Sequence, residues 1–530
     1  MKQALKSLLV AGLVLTGASL IAASLTSAKA QPLRIGIGGA FTSIDPHFYN
    51  ATPNHSVSMH IFDRLVDRAP DVSLKPGLAL SWKTLSDTVW EFKLRPGVTW
   101  HDGKPFTADD VAFTYERARN VPNSPGGFGG FLRAVKKVEV VDPLTLRIDT
   151  GEPAPNLPRE LAFVPIISRH VGEKATTEDY NSGKAAIGTG PYKFASYTPG
   201  DRVELTRNDA WWGPKQPWDK VTLRMITNAG ARVASVLAGD VDVIDTPPAG
   251  DLAKLQADNR VQVASTEGLR VIYLALHSQE PVPATVTAND GKPLAKNPLL
   301  DTRVRQALSI AINREGLADR IMQKTARATG QWLPPGTYSY AKGVAVPAFD
   351  TNKAKALLAE AGFPDGFKVT LFSPSDRYPN DAATAQAIAQ MWTRAGVKTA
   401  VETLPWSAYT GRGGKQEFGI GLWGWGSPTG EAGYLLSNVA ATNDPSRGLG
   451  VFNYGRYSNP ELDKQIVETL ATIDDAKRET LFVSAIETFA KTLPIIPLYT
   501  LDNAWVTRKG ITIEPRRDER TLAVDARPAK

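Results

Sequence analysis

The sequence predicts an α/β fold in which helices cover parallel strands. Apolar residues recur alternately at every second position, as in strands, and at about every 3.6 positions, as in helices. One segment also shows strand, helix and strand patterns in succession, at residues 369–372, 381–395 and 397–401. A crossover of this kind joins parallel strands. The 530 residues are enough for about three domains' worth of buried core.

Local signals place further elements. A helix is predicted from Thr107 through Tyr115, because Thr107 can cap its first turn and Asp109 and Asp110 follow where acids are favourable. Other elements are predicted from the same kinds of pattern: strands at 33–37, 90–94 and 418–422, helices at 304–311 and 352–358 with Gly362 as a C′ residue, and loops or domain junctions at 121–130 and 278–298.

The first 30 residues have the organisation of a signal peptide. Lys2 and Lys6 precede an apolar run over 8–25, and Ala28-Lys29-Ala30 matches a cleavage site, so we expect cleavage before Gln31. An uncleaved anchor is the alternative, which the small residues and the cleavage site disfavour. The sequence contains no cysteine, and hence no lipid-attachment cysteine. We therefore expect a free periplasmic protein and not a lipoprotein.

The charge pattern does not indicate a nucleic-acid partner. The formal net charge is +7 at pH 7, but the basic residues are dispersed, and the densest run, Arg516-Arg517, is followed by Asp518 and Glu519. A nucleic-acid-binding surface would require a basic stripe with interleaved aromatic residues.

Catalytic, cofactor and metal signals are weak. Residues 419–424 match G-x-G-x-x-G, but that motif binds a dinucleotide only where a strand leads into a helix. Because 425–430 cannot start such a helix, we interpret the motif as a loop and predict no cofactor. The six histidines lack the spacing of a metal pair, and acidic pairs such as Asp240 and Asp242 are too common to identify a catalytic dyad. We predict neither a catalytic residue nor a metal site, and keep a periplasmic hydrolase as a remote alternative.

Several short segments together resemble one family. They share order and spacing between about residues 33 and 510, and are Leu78–Trp82, Trp90–Val98, His101–Val111, Gly188–Tyr192, Ala238–Asp242, Val304–Leu308 with Ala311–Glu315, and Ala354–Gly362. In these motifs the chain resembles bacterial extracellular solute-binding protein family 5, the peptide/nickel/opine-type binding proteins of ABC importers.

The resemblance implies a periplasmic-binding-protein-like fold, with two α/β lobes joined by a hinge and an additional inserted domain. The implied ranges are 1–30 for the signal peptide, 31–75, 187–277 and 500–530 for lobe one, 76–186 for the inserted domain and 278–499 for lobe two. The resemblance also implies a monomer without a catalytic step. Such a protein encloses its ligand between the lobes and delivers it to the permease of an ABC importer.

One candidate ligand-binding segment follows the strand at 369–372, where ligands collect beyond the carboxyl ends of parallel strands. Arg377, with Tyr378 beside it, occupies this place, and an arginine near free helix amides suits a carboxylate. Dipeptide-binding relatives hold the peptide carboxylate with an arginine in this segment. The alternative is a surface arginine paired with Asp376 or Asp381.

The second candidate segment follows the strand at 418–422. Trp423 and Trp425 stand among glycines that leave ring faces open for stacking, so we favour a pocket role over simple burial. Peptide-binding relatives place an aspartate shortly after such a tryptophan to bind the peptide amine, whereas this chain has Ser427 and Pro428. Glu431 could replace that aspartate or could cap a helix. The departure leaves a peptide, an opine, a modified amino acid, a sugar conjugate and a metal or haem-like chelate as possible ligands.

Overall fold

The computed structural model describes residues 31–444 and 446–529. The predicted signal peptide, residues 1–30, lies outside the described residues. Among the helices that are described, none combines the length and the apolar character needed to cross a membrane.

The first 155 or so described residues open the main sheet and then form a separate small sheet. Their elements are β1 (Gln31–Ile37), α1 (Thr52–Ile61), β2 (Val66–Arg68), β3 (Leu74–Pro76), β4 (Ala79–Ser86), β5 (Val89–Leu94), α2 (Ala108–Ala118), β6 (Lys137–Asp142), β7 (Thr145–Asp149), α3 (Leu157–Leu161), α4 (Arg169–Gly172) and α5 (Thr177–Asn181). Strands β4, β5, β7 and β6 pair in that order as an antiparallel sheet, and its apolar face joins a buried cluster drawn from residues 65–166.

The chain then returns to the main sheet. The elements of this part are β8 (Tyr192–Thr198), β9 (Arg202–Arg207), β10 (Trp218–Met225), α6 (Ala229–Ala238), β11 (Val243–Asp245), α7 (Ala249–Ala257) and β12 (Val261–Leu276). Strand β1 pairs in parallel with both β10 and β11, and Leu33, Ile35 and Leu223 lie fully buried in the core that these strands share.

The remaining elements complete the sheet and cover it. They are β13 (Val286–Thr287), α8 (Thr302–Ile310), α9 (Arg314–Gly316), β14 (Ala326–Ala328), α10 (Thr351–Glu360), β15 (Lys368–Pro374), α11 (Asp381–Arg394), β16 (Lys398–Leu404), α12 (Trp406–Gly414), β17 (Ile420–Gly426), α13 (Gly433–Leu435), α14 (Pro460–Ala471), α15 (Asp475–Thr492), β18 (Ile495–Arg508), β19 (Ile511–Ile513) and β20 (Ala526–Pro528). Short 3₁₀ or π turns occur at 129–132, 298–300, 317–321, 436–440 and 523–525.

Two long antiparallel strands, β12 and β18, lie side by side near the middle of the main sheet. Within the described residues this sheet has twelve strands, in the order β13-β15-β17-β12-β18-β11-β1-β10-β9-β8, with β14 on β18 and β16 on β15. Residues 261–267 of β12 pair with 508–502 beside β11, whereas 271–275 pair with 500–495 beside β17. The register is interrupted between Glu267 and Val271, so a bulge separates the two halves of the sheet.

The α/β prediction is confirmed, and so is the crossover. Strands β15 and β16 are parallel neighbours joined by α11. Helix α2 begins after Thr107 with a capping box that includes Asp110, and Gly362 follows α10 with a φ of 90°. The domain ranges stay a proposal, and we keep the names lobe one, inserted domain and lobe two for them.

The loop interpretation of residues 419–424 is wrong. Residues 420–426 form strand β17, which pairs with β12 on one side and β15 on the other. Its apolar residues Ile420 and Leu422 are fully buried, so sheet packing determines this segment and its glycines do not open a phosphate-binding turn.

Candidate functional site

A cavity near the sequence-predicted residues lies where the two halves of the main sheet meet. Its volume is ≈ 340 Å³. Residues from five parts of the chain line it: Asn50, Thr52, His55 and Arg68; Phe131 and Phe163; Leu269 and Arg270; Gly424–Pro428 and Tyr434; and Arg517–Arg520. The cavity is therefore bounded by lobe one, the inserted domain and lobe two, with the β12 bulge at its edge.

Trp425 and Ser427, both candidate ligand-binding residues, lie on the cavity wall, and their role in binding stays a prediction. The Trp425 ring is partly buried against Tyr434 and Phe452, with centroids 5.2 Å from each. Among the described residues, neither the indole Nε1 of Trp425 nor the Oγ of the fully buried Ser427 has a hydrogen-bond partner. Buried polar atoms are ordinarily paired, so both are candidates to bind a ligand.

Trp423 and Tyr378 lie behind the wall and do not line the cavity. The Trp423 ring stacks on Tyr454 at 3.8 Å with an interplanar angle of 14°, in the aromatic core of lobe two. The Tyr378 hydroxyl donates a 3.2 Å hydrogen bond to the carbonyl of Gly424. Both side chains therefore support strand β17, whose last residues reach the cavity.

Arg377 is exposed and is not among the cavity-lining residues. Its guanidinium lies 5.4 Å over the ring of Trp406 and 5.2 Å over that of Tyr378. The backbone amides of Arg377 and Tyr378 both donate to the Asp381 carboxylate, at 3.1 Å. The structure thus gives Arg377 aromatic neighbours, and its role as a carboxylate ligand stays a prediction.

Glu431 is fully buried and caps a short helix. Its carboxylate accepts hydrogen bonds from the amides of Gly433 and Tyr434, at 2.6 and 3.3 Å, and from the Thr429 hydroxyl at 2.9 Å. Glu431 does not line the cavity. These bonds correspond to the capping alternative, since they occupy both carboxylate oxygens.

Sequence reasoning missed the charged residues of the cavity. The run from Arg516 to Arg520 drew attention only as the densest charge in the chain, yet four of its residues line the cavity. No sequence pattern pointed to the other two arginines. Arg68 ends the short strand β2, and Arg270 belongs to the β12 bulge. Chain folding brings these distant segments together, and no spacing along the sequence reveals it.

A buried ion-pair network fixes the base of the cavity. Asp518 accepts hydrogen bonds from Arg516 at 2.8 and 3.0 Å and from Arg520 at 3.4 Å. Burial alone would raise the pKa of Asp518, but the positive charges of Arg516 and Arg520 hold that pKa well below its ordinary value. Asp518 is therefore a permanent anion held by arginines.

His55 contributes no charge to the cavity. Burial, together with the positive charges of Arg520 and Arg64, lowers the pKa of His55 well below 6.5. Its Nδ1 faces Arg64 Nη2 at 3.4 Å, and its Nε2 lies 2.7 Å from Asn50 Oδ1. Since arginine can only donate, Nδ1 accepts and Nε2 carries the proton.

Three hydrogen bonds also join lobe two to the other parts of the chain, at the cavity or close to it in the sequence. Arg68 Nη1 donates to the carbonyl of Pro428, and Arg159 Nη1 donates to the carbonyl of Thr429 at 3.3 Å. Arg517 Nη2 donates to the carbonyl of Pro335 at 3.4 Å. Each bond links lobe one or the inserted domain to lobe two.

Comparison with solved structures shows that this architecture is that of the periplasmic binding proteins. The structure of HbpA2 from Haemophilus parasuis superposes with a TM-score of 0.82 at 27% identity, covering 94% of this chain and 100% of that one. Heme-binding protein A of Haemophilus influenzae is 29% identical over 477 residues, 85% of this chain and 82% of the relative. The dipeptide-binding protein of Escherichia coli is 28% identical over 507 residues, 90% of this chain and 91% of the relative.

A match to a family model narrows this class to one family. Residues 73–446 match the model of bacterial extracellular solute-binding proteins, family 5. The chain belongs to this family, which supplies the solute-binding components of ABC importers, and the periplasmic-binding-protein-like fold is confirmed.

Proposed function

We propose that this protein is the periplasmic, monomeric binding component of an ABC importer, and that it captures a peptide or peptide-like solute in the cavity between the lobes. In this proposal the signal peptide is cleaved, the mature protein has no lipid anchor, and it delivers the solute unchanged to the membrane permease. No cofactor, metal ion or catalytic step is required.

One observation carries the assignment of the cavity. Residues from lobe one, the inserted domain and lobe two line one space, and the buried Nε1 of Trp425 and Oγ of Ser427 lack partners among the described residues. A solute that binds these two atoms of lobe two and also contacts Arg68 or Arg270 of lobe one touches both sides at once. It therefore binds the closed arrangement better than the open one and shifts the equilibrium toward closure.

The alternative ligand class for the same site is a haem-like or other chelate, or an opine or sugar conjugate. Heme-binding protein A of Haemophilus influenzae is one of the similar proteins, and the arginines of the cavity suit carboxylates of any such molecule. Metal analysis of the protein as isolated separates a chelate from a metal-free solute.

Native mass spectrometry tests the proposal. Protein purified gently from the periplasm should carry a discrete small mass that collisional activation releases, and incubation should leave that mass unchanged. The variant Gly426→Leu should lose it, because a side chain at Gly426 would extend from the wall beside Arg270. The matched variant Gly411→Leu places the same side chain in open space and should retain the mass. No bound mass in any preparation, or conversion of the mass, would contradict the proposal.

A further inference from the structure

The charges that line the cavity do not cancel. Four arginines line it, namely Arg68, Arg270, Arg517 and Arg520, against two acids, Asp518 and Glu519. Neutral His55 adds nothing to this balance. Within the described residues the cavity wall therefore has a surplus of two positive charges.

Asp518 is already engaged by arginines. Asp518 holds Arg516 and Arg520 by hydrogen bonds, and Arg68 Nη2 lies 3.6 Å away. Glu519 lies 3.4 Å from Arg270 Nε, so it neutralises one arginine at most. Neither acid is free to compensate the remaining cations.

Two guanidinium nitrogens of Arg68 have no hydrogen-bond acceptor among the described residues. Its guanidinium stacks 4.1 Å over Phe163, and the residue is only 2% exposed. Nη1 donates to Pro428, but Nε and Nη2 have no hydrogen-bond partner among the described residues. Buried guanidinium donors without a hydrogen-bond partner are costly, and an anion that accepts from them removes this cost.

Arg270 lies close to the same segment of lobe two. A side-chain carbon at Gly426 would lie 3.5 Å from Arg270 Nη2, which places the guanidinium against Gly426. Arg68 reaches Pro428, two residues further on. Ser427, whose Oγ has no hydrogen-bond partner among the described residues, lies between Gly426 and Pro428 in the sequence.

We propose that the cavity selects a net-anionic, peptide-like solute, one carboxylate of which binds Arg68 and Arg270 beside Ser427. This inference rests on the proposed function, since it names the solute class of the same site. A carboxylate matches the planar donor arrangement of a guanidinium. The surplus positive charge disfavours a solute that brings a cation of its own.

Isosteric dipeptides provide the test. Titration calorimetry should show L-alanyl-L-glutamate binding at least about tenfold more tightly than L-alanyl-L-glutamine, because a charge-assisted hydrogen bond contributes more than a neutral one. The N-acetylated pair, which lacks the amine, should show the same preference and equal or higher affinity. Rising salt should weaken the acidic peptide more than the neutral one, because salt screens charge interactions.

Two arginine variants complete the design. Arg270→Gln should reduce the preference for glutamate over glutamine to less than about threefold. Arg260→Gln removes one charge from an arginine that pairs with Asp258 on the surface and should preserve the preference. Unfolding curves without ligand show whether each variant is folded.

The outcomes separate this inference from the proposed function. Equal affinity for the glutamate and glutamine peptides, or tighter binding of the glutamine form, overturns the inference. A neutral, zwitterionic or cationic molecule released from the native protein also overturns it, although solute binding then stands. If no mass is released and none of the four peptides binds at millimolar concentration, both proposals are contradicted.

Discussion

At the scale of single residues, two tryptophans of one motif have different surroundings. Trp423 and Trp425 share one face of β17, because side chains two apart in a strand point the same way. Trp423 is stacked within the core of lobe two. Trp425 reaches the cavity, and its Nε1 has no hydrogen-bond partner in the part of the chain that the structure describes. The sequence identified the pair, but it could not tell which ring is buried, because only the end of the strand reaches the cavity.

Trp425→Phe tests the role of that indole nitrogen. The change keeps an aromatic ring but removes the donor, so affinity for the native solute should fall by about 1 kcal/mol while the free energy of unfolding without ligand stays the same or rises. Trp392→Phe is the control, since Trp392 Nε1 donates to the Leu308 carbonyl at 2.8 Å and its loss should destabilise the protein. Loss of stability without loss of affinity in Trp425→Phe would contradict the assignment.

Glu431→Gln separates capping from amine binding. The glutamine cannot accept all three hydrogen bonds of the Glu431 carboxylate, so we expect a loss of about 1–2 kcal/mol in the free energy of unfolding. Solute affinity should change little, because Glu431 does not line the cavity. Chemical denaturation and calorimetry measure the two effects. A large loss of affinity at unchanged stability would restore Glu431 as a ligand-binding residue.

At the scale of elements, the sequence predicted those with strong local signals. The crossover through α11 and the capped start of α2 were confirmed because periodicity and capping residues lie next to each other in the chain. The cavity arginines were missed because β2, the β12 bulge and the segment after β18 are far apart in the sequence. Long-range pairing, such as that between β12 and β18, creates the site and leaves no local pattern.

The bulge in β12 gives a prediction about backbone packing. A side-chain carbon at Gly268 would lie 2.8 Å from the Leu501 carbonyl oxygen and 2.7 Å from Asn503 Oδ1, closer than such contacts allow. Gly268→Ala should therefore destabilise the protein by about 1–3 kcal/mol in chemical denaturation. The control Gly230→Ala lies in α6 with only ordinary contacts and should be neutral or stabilising by up to about 1 kcal/mol. Equal effects of the two would contradict this account of the bulge.

Helix α1 provides a prediction about pH. His60 is buried, its Nδ1 donates to the Ser56 carbonyl at 2.7 Å, and its Nε2 accepts from the Ala523 amide at 2.9 Å. Burial lowers the pKa of His60 to about 4. The unfolded chain therefore binds the proton first on acidification, and stability is lost as the pH falls from about 6.5 toward about 4.

Denaturation at a series of pH values measures this effect. His60 alone should remove up to about 3 kcal/mol from the free energy of unfolding between pH 6.5 and 4. His60→Gln should be less stable at pH 7 but should show a shallower decline over this window. A decline as steep as that of the wild type would show that His60 is not a source of the pH dependence.

At the scale of the whole molecule, the hydrogen bonds between the lobes and the bound solute both stabilise the closed arrangement. The bonds from Arg68, Arg159 and Arg517 to carbonyls of lobe two hold the lobes together, and a solute bound to the wall adds to them. The lobes are connected by the two long strands β12 and β18, which have a bulge between their two paired regions. We therefore expect the lobes to move as units about this connection.

The absence of cysteine makes a direct measurement of this motion possible. Spin labels attached at Lys136→Cys in the inserted domain and Lys342→Cys in lobe two, both exposed positions, report the distance between the lobes by pulsed electron resonance. Addition of the small-molecule fraction released from the native protein should shift the distribution toward one narrow distance, and Gly426→Leu should abolish the shift. Identical distributions with and without that fraction, at concentrations where calorimetry shows binding, would contradict the claim that the solute is held between the lobes.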